Sequence, residues 1–568
     1  MTGLLVGVGA AASAALAACA PKAADSAKSD TSATAAQTGA TWRIAPAKIT
    51  DFAKEIDCDV VVCGHGFAGI TACRELAEQN KKVVLVEKQD EANYAAVGNE
   101  AGTLNATILK ERGVPEIDPV EFFQNFMLAA GNYPNQELIM KYAQNSGANM
   151  DWYLESLTEE DFGTMTTAFF PPTEHQMDHL GALKFWGSVC SFYGECNQTK
   201  IHGYNRELAK AKGAEFLFGT EAQYVIMDDG EVAGLVATGA NGNIKFNCKA
   251  VVIACGGFGG NPEMMADLIP DMQNALVEGE SLTSMSMNNG RGVQMAYWAS
   301  AHLETCPIPG MNMKGLSVPG KMNALPQAVW VDEFGKRFCN EYYPTAEQRG
   351  LSTVYKSRKT KFAVCDANFP TYRQYTIPQH AGFNANEENL ASLREALDKA
   401  YAKFKGTYVE TEADKAPQQM GPVVTVDYIA DDTLEGLGRQ LGYEGESLQA
   451  FLKTIEDYNS YCAAGADQEF GRHAEVLFPV DTAPYYACKF DPVLGETMVT
   501  CGGIITDGEQ NALDANFEAI PGLYVSGNDC GRRFGYEYIT PIPGLSLGFA
   551  ITLGRECGKS VAAFLDKA

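Results

Sequence analysis

Nowhere in this 568-residue chain do two of its 16 cysteines stand only two residues apart. Iron–sulfur clusters, structural zinc sites and c-type haem attachment all draw on closely spaced cysteines, so the chain offers none of those frameworks. The tightest pairs are Cys58/Cys63 and Cys190/Cys196, while Cys63 and Cys255 sit in apolar runs where a thiol behaves as a small core residue. Histidine is scarce, at seven. His175 and His179 are four apart, but Pro171-Pro172 precede them and no third ligand is near, so no metal is expected. Positive charge is in deficit as well: 44 Lys and Arg face 71 Asp and Glu, a formal net charge of −27. Such a surface repels phosphate backbones and anionic headgroups, which argues against nucleic-acid binding.

Charge of either sign is missing from residues 2–21, where residues 4–18 are rich in Leu, Val, Ala and Gly. The run is short for a membrane span and ends Leu16-Ala17-Ala18-Cys19, which resembles a bacterial lipobox with Cys19 as the acylated residue. Residues 1–19 are therefore expected to be a leader. Residues 20–45, poor in large apolar side chains, are expected to be a flexible tether. The chain is expected to be exported and held on the extracytoplasmic face of the membrane through lipid alone. So many thiols without evident partners suit an anaerobic habitat better than an oxidising one.

Beyond the tether the chain is rich in what a globular core needs, with 46% hydrophobic residues over a length that suggests two or more domains. Val60-Val61-Val62-Cys63 reads as a short buried strand, Gly64-His65-Gly66-Phe67-Ala68-Gly69 follows at once, and a helix runs on from Ile70. A second strand, Val83-Val84-Leu85-Val86, ends at Glu87, 18 positions after the last glycine. Each part of this GxGxxG unit has a task. Gly64 makes the tight turn, Gly66 admits a pyrophosphate to the backbone, and Gly69 lets helix and strand pack closely. The helix N-terminus, with Phe67 and Ala68, offers N–H groups to the phosphates, and Glu87 accepts from ribose hydroxyls.

Two further glycine-bearing strand ends point to FAD rather than NAD. Residues Ala250-Val251-Val252-Ile253-Ala254 run into Gly256-Gly257, and Leu523-Tyr524-Val525-Ser526 deliver Gly527, Asn528 and Asp529. Near the end, Pro543-Gly544-Leu545-Ser546-Leu547 leads into a last helix whose N–H groups suit the edge of a flavin ring.

With these motifs the chain resembles, over about residues 57–568, the soluble branch of the FAD-dependent fumarate reductase/succinate dehydrogenase flavoproteins. Urocanate and cinnamate reductases belong to that branch, and ketosteroid dehydrogenases are its neighbours. Glu100-Ala101-Gly102-Thr103, Gly290-Arg291-Gly292 and the run Phe334 to Glu341 strengthen the likeness. The resemblance implies an α/β fold: a split Rossmann-type FAD-binding domain at 46–305 and 499–568, with an α+β clamp inserted at 306–498. It also implies non-covalent FAD, with Lys88, Gly102, Thr103, Ala222, Ala254, Ser546 and Leu547 among its contacts.

The residues that clamp fumarate in that family are missing. Its catalytic histidine falls on Val499, its second substrate histidine near Met311, one arginine near Pro541 and another near Ala324. Only Arg349, displaced by about four residues, answers to the proton-donating arginine. Without those bidentate partners a small dicarboxylate has no site, so the chain is not expected to reduce fumarate. Tyr342, Tyr343, Arg532, Arg533, Tyr536 and Tyr538 stand around the same positions. They suit a larger, less charged substrate with a carbonyl or carboxylate conjugated to C=C. Candidate catalytic residues are Tyr538 first, then Arg349, Tyr536 and Arg533. Arg532 and Arg533 are also read as phosphate anchors or ion-pair partners of Asp529. With no CxxCH and no FMN-bearing domain, electrons are expected from a separate cytochrome or FMN-type protein. The alternatives are the reverse reaction, desaturation of a steroid-like ketone, and a tethered flavin electron carrier.

Overall fold

The computed structural model describes residues 40–98, 100–165, 178–179, 183–184, 186–192, 196–270, 283–284, 288–304, 308, 310–311, 325–342, 361–375, 387–410, 428–489, 496–497, 499–535 and 538–567. Trp42–Ala568 form one unit. Within it the apolar runs build one sheet. Its elements, in chain order, are β1 (Val60–Cys63), α1 (Phe67–Glu78), β2 (Val83–Val86), β3 (Glu215–Leu217), β4 (Ala250–Ile253), β5 (Asn511–Leu513), β6 (Ala519–Val525) and the final helix α2 (Leu545–Leu565). The strand order is β5-β6-β4-β1-β2-β3, parallel throughout except for β5 at one edge. Every side chain of β1, β2 and β4 is buried. Parallel strands covered on both faces need such unbroken apolar runs instead of alternation. Gly554 and Gly558 let α1 and α2 approach closely, for a Cβ on Gly554 would lie 2.5 Å from the Ala68 carbonyl oxygen.

A second sheet of four strands flanks the first: Lys54–Asp57 lies parallel to Gly242–Asn247, which continues antiparallel through Glu231–Gly239 to Glu221–Asp228. Trp42 and Arg43, within the stretch read as tether, are already docked on this unit. The Trp42 indole donates to Asp267 at 2.8 Å, Arg43 pairs with the same carboxylate at 2.9 Å, and Trp298 donates to the Trp42 carbonyl at 3.1 Å.

Between residues 306 and 498 the architecture changes. Four antiparallel strands stand in the order Val329–Asp332, Lys361–Asp366, Tyr485–Lys489, Tyr428–Asp431. Alternate residues feed two cores. Trp330, Ala363, Cys365 and Cys488 meet Leu390, Leu393 and Leu397 of the helix Glu387–Phe404. Val329, Val331, Val364 and Ala487 meet Leu448, Phe451 and Ile455 of the helix Gly445–Ala464. That alternation is the period-two signature of a sheet sandwiched between helices. The Phe334 to Glu341 run proves to be scaffolding for this module. Arg337, fully buried, pairs with Glu341 at 2.7 Å and with Asp467 at 3.0 Å. The fold is thus α/β with a parallel dinucleotide-type sheet. Among the described residues no helix is long and apolar enough to cross a membrane.

Candidate FAD site

The C-terminal ends of β1, β4 and β6 converge, and the glycines there are fixed by contact. Gly64 has φ +103°, and a Cβ on it would sit 2.4 Å from the Ala254 carbonyl oxygen. A Cβ on Gly69 would come within 1.8 Å of the Gly64 carbonyl oxygen, whereas Gly66 faces open space with nothing inside 4 Å. Helix α1 starts after Gly66 with no side-chain cap, so its first N–H groups are left for an anion. Glu87 is buried, and its carboxylate takes the His65 N–H at 2.7 Å and the Gln89 N–H at 2.8 Å. Each oxygen keeps a lone pair for a ribose hydroxyl. Lys88 beyond it is exposed. Ala222 is buried in the flanking sheet, two residues from Thr220, whose N–H donates to the Glu87 carbonyl at 2.8 Å.

Asp529 has a different task from the direct cofactor contact expected of it. Its enclosed carboxylate accepts the Gly256 and Gly257 N–H groups at 2.9 and 3.1 Å, holding that loop at φ +89° and +88°. Burial pushes its pKa up to about 6, against the pull of those N–H groups and Arg533. Gly527 lies against the start of α1, where a Cβ on it would meet Ala68 Cβ at 3.0 Å. Gly102 packs on Pro543 and donates to the Gly544 carbonyl at 2.9 Å, and a Cβ on Gly548 would meet the Gly102 carbonyl oxygen at 1.9 Å, so this segment lies against the head of α2, which carries Ser546 and Leu547.

Arg533 and Tyr538 complete the arrangement. The Arg533 guanidinium is fully buried and donates to the Cys530 carbonyl at 3.0 Å and to Asn528 Oδ1 at 2.9 Å. It reaches Asn528 and not Asp529. Tyr538 is buried, its ring 4.8 Å from that of Phe534. Burial raises its pKa well above the ordinary 10, although the Ser546 N–H and Arg533 favour the phenolate. Arg532, at φ +52°, turns the other way and lies over Tyr133. Arg349, Tyr343 and Tyr536 lie outside the described residues, as does Ala324. The two positions where the resemblance sets the family's substrate histidines are direct partners: Met311 of Gly310–Met311 faces Val499 of Val499–Thr500 in an antiparallel pair.

A FAD molecule fits this donor set. Thr103 Oγ1, Ser526 Oγ and Arg533 Nη1 are buried side-chain atoms without a hydrogen-bond partner. All three lie on the segments that meet at the ends of the parallel strands. A buried polar atom left unmatched costs about 1–3 kcal/mol, so such a cluster marks a place for a polar ligand.

Sequence reasoning missed Glu304. Its carboxyl is enclosed against Gly502 and Gly531 and accepts the Arg532 N–H at 2.7 Å, tying residues 301–304 to 499–504 and 529–533. A lone acid in an irregular stretch carries no motif to find it by. Burial pushes its pKa up to about 7, opposed by that N–H and by the charges of Arg532 and Arg533. The native chain therefore holds a proton that the unfolded chain releases, so this group's contribution to stability falls as pH rises from about 4.5 to 7. The loss is on the order of 3 kcal/mol above pH 7. Glu304→Gln is expected to flatten the decline of Tm between pH 5 and 8 in thermal melts; an unchanged slope would exclude the assignment.

Strands, glycine loops and unmatched donors together define a flavoprotein with FAD as its cofactor. Residues 59–547 match the FAD binding domain family, and the chain belongs to it. It is 25% identical over 532 residues to the vinyl phenol reductase of Lactiplantibacillus plantarum, across 90% of this chain and 98% of that one. Its identity to the urocanate reductase of Eggerthella lenta is 25% over 526 residues, across 89% of this chain and 75% of that one. The fold resembles the 3-ketosteroid-delta4-(5alpha)-dehydrogenase of Rhodococcus jostii RHA1, with a TM-score of 0.64 at 20% identity, over 90% of this chain and 98% of that one.

Proposed function

We propose that this chain is an exported FAD-dependent reductase of C=C bonds conjugated to a carbonyl or carboxylate, supplied with electrons by a cytochrome or FMN-type protein. FAD, held by the Gly64–Gly69 loop, Glu87 and the Gly256 and Gly527 loops, would supply the hydride that such a bond takes up. The chain's own residues do the rest. Tyr538 gives its hydroxyl proton to the α-carbon, and the positive charge of Arg533 steadies the carbonyl oxygen as negative charge gathers there. The module at 306–498 acts as the clamp that excludes water, and the lipid-bearing leader and tether keep the enzyme near its donor.

The observation that carries the reading is the placing of Tyr538, buried at the head of α2 beside Arg533. A phenol enclosed there with a cation beside it is placed to pass a proton to a bound substrate. The relatives named for reducing a vinyl phenol and urocanate support the same direction. Val499 opposite Met311, where two histidines would clamp a dicarboxylate, supports a substrate other than fumarate.

The test is anaerobic. The holoprotein is reduced and its visible flavin band followed on addition of fumarate, urocanate, cinnamates, vinyl phenols or steroid enones. Rapid reoxidation by a bulky conjugated alkene with fumarate inert is expected. Reoxidation by fumarate would overturn the exclusion drawn from Val499 and Met311. Silence across the panel, with dyes still exchanging electrons, would mark a carrier.

A further inference from the structure

Cys58 and Cys248 are about 190 residues apart in the chain and belong to no motif. The fold brings them side by side. Lys54–Asp57 and Gly242–Asn247 run parallel with Asp57 opposite Asn247, and the register continues one step further, where the Cys58 N–H donates to the Asn247 carbonyl at 3.1 Å. In this parallel register the two residues stand opposite each other, with their side chains on the same face. Neighbouring strands lie about 4.8 Å apart, inside the range of about 4.4–6.8 Å that a disulfide spans between Cα atoms. Cys58 is part-exposed and Cys248 is buried.

We infer that Cys58 and Cys248 form a built-in oxidation site, closing to a disulfide when the chain meets a thiol oxidant. The oxidant is a disulfide, whether a small molecule or an oxidoreductase of protein export. Cys58, the member solvent can reach, attacks one of its sulfurs as the thiolate, forming a mixed disulfide and releasing one thiol. Cys248 then attacks Cys58 Sγ and releases the second thiol. Two protein thiols lose two electrons and two protons, and the oxidant disulfide is reduced to two thiols. Cys248 is buried, so the second step, which needs its thiolate, is the slow one and quickens with pH.

The position gives the bond a consequence. Just beyond the two cysteines, Val60 of β1 and Ala250 of β4 are register partners, and those strands carry the Gly64 and Gly256 loops. A covalent tie at their base resists the separation that would release the cofactor, and closing so long a loop is expected to raise the apparent Tm by about 5 °C.

The experiment takes the holoprotein purified under reducing conditions and exposes it to oxidised glutathione over a range of pH. Supporting results are a mass loss of two hydrogens, a proteolytic peptide joining Cys58 to Cys248, a higher Tm and slower loss of FAD on dilution. Cys58→Ser and Cys248→Ser should each abolish that peptide; the Cys58 variant reports even if the buried position tolerates no change. Oxidation that joins another pair, such as Cys63 to Cys255, or that stops at glutathione bound to Cys58, would overturn the inference. Neither outcome depends on which alkene the enzyme reduces.

Discussion

Gly69→Ala is expected to give a protein without its yellow colour. The added methyl would lie 1.8 Å from the Gly64 carbonyl oxygen, a distance no non-bonded pair tolerates, so the first turn of α1 must move off the loop. Overpacking of this kind costs about 1–3 kcal/mol in stability. The larger loss is in the cofactor. A shift of the α1 N–H groups off the pyrophosphate should weaken FAD by at least about 100-fold, roughly 3 kcal/mol, together with the stabilisation that bound FAD provides. The visible flavin band, its intensity relative to protein and the Tm with added FAD measure this. Gly66→Ala separates the two effects, because its Cβ enters open space. Stability without FAD should then be unchanged while FAD affinity falls. A Gly69→Ala protein that keeps one FAD per chain would show that the loop is not the pyrophosphate cradle.

The second large effect is expected at the phenol. Tyr538→Phe keeps the ring that packs on Phe534 and removes only the proton. FAD content and the flavin spectrum should stay as they were, while kcat for the alkene falls by about 10²–10⁴-fold, the range of a lost general acid. KM should move little. Deuterated solvent should slow the natural enzyme and not the variant, if proton transfer limits the former. A fall smaller than about tenfold would return Tyr538 to the role of a packed ring and shift attention to Arg349.

The dinucleotide unit was legible because its information is local. Strand, glycine loop, helix and second strand occupy 29 consecutive positions from Val60 to Lys88, and burial on both faces leaves the unbroken apolar signature of β1, β2 and β4. The resemblance supplied what locality cannot, namely that strands at the start, middle and end of the chain meet in one sheet. The groups that stayed hidden owe their properties to distant partners. Asp529 reads as a ligand to the cofactor until Gly256 and Gly257 arrive from more than 270 residues away to occupy it. Glu304 is unremarkable until Gly502 and Gly531 enclose it. Trp42 falls in a stretch whose composition says tether, yet one indole N–H meeting Asp267 ends the tether early. Composition averages over a window, and a single well-met side chain escapes it.

The order of strands in the sheet also sets a timetable for synthesis. β1 emerges from the ribosome about 190 residues before its neighbour β4, and β6, beside β4, is made about 270 residues after that. The head of α2, which closes the site over Gly102, follows β6. A growing chain therefore carries an exposed glycine loop and an unfinished sheet edge until β6 and the head of α2 are added. Cofactor capture is in this sense a completion signal: a chain cut short before Gly544 would keep the GxGxxG motif intact and still lack the part that retains FAD. Flavin content would then distinguish whole molecules from truncated ones.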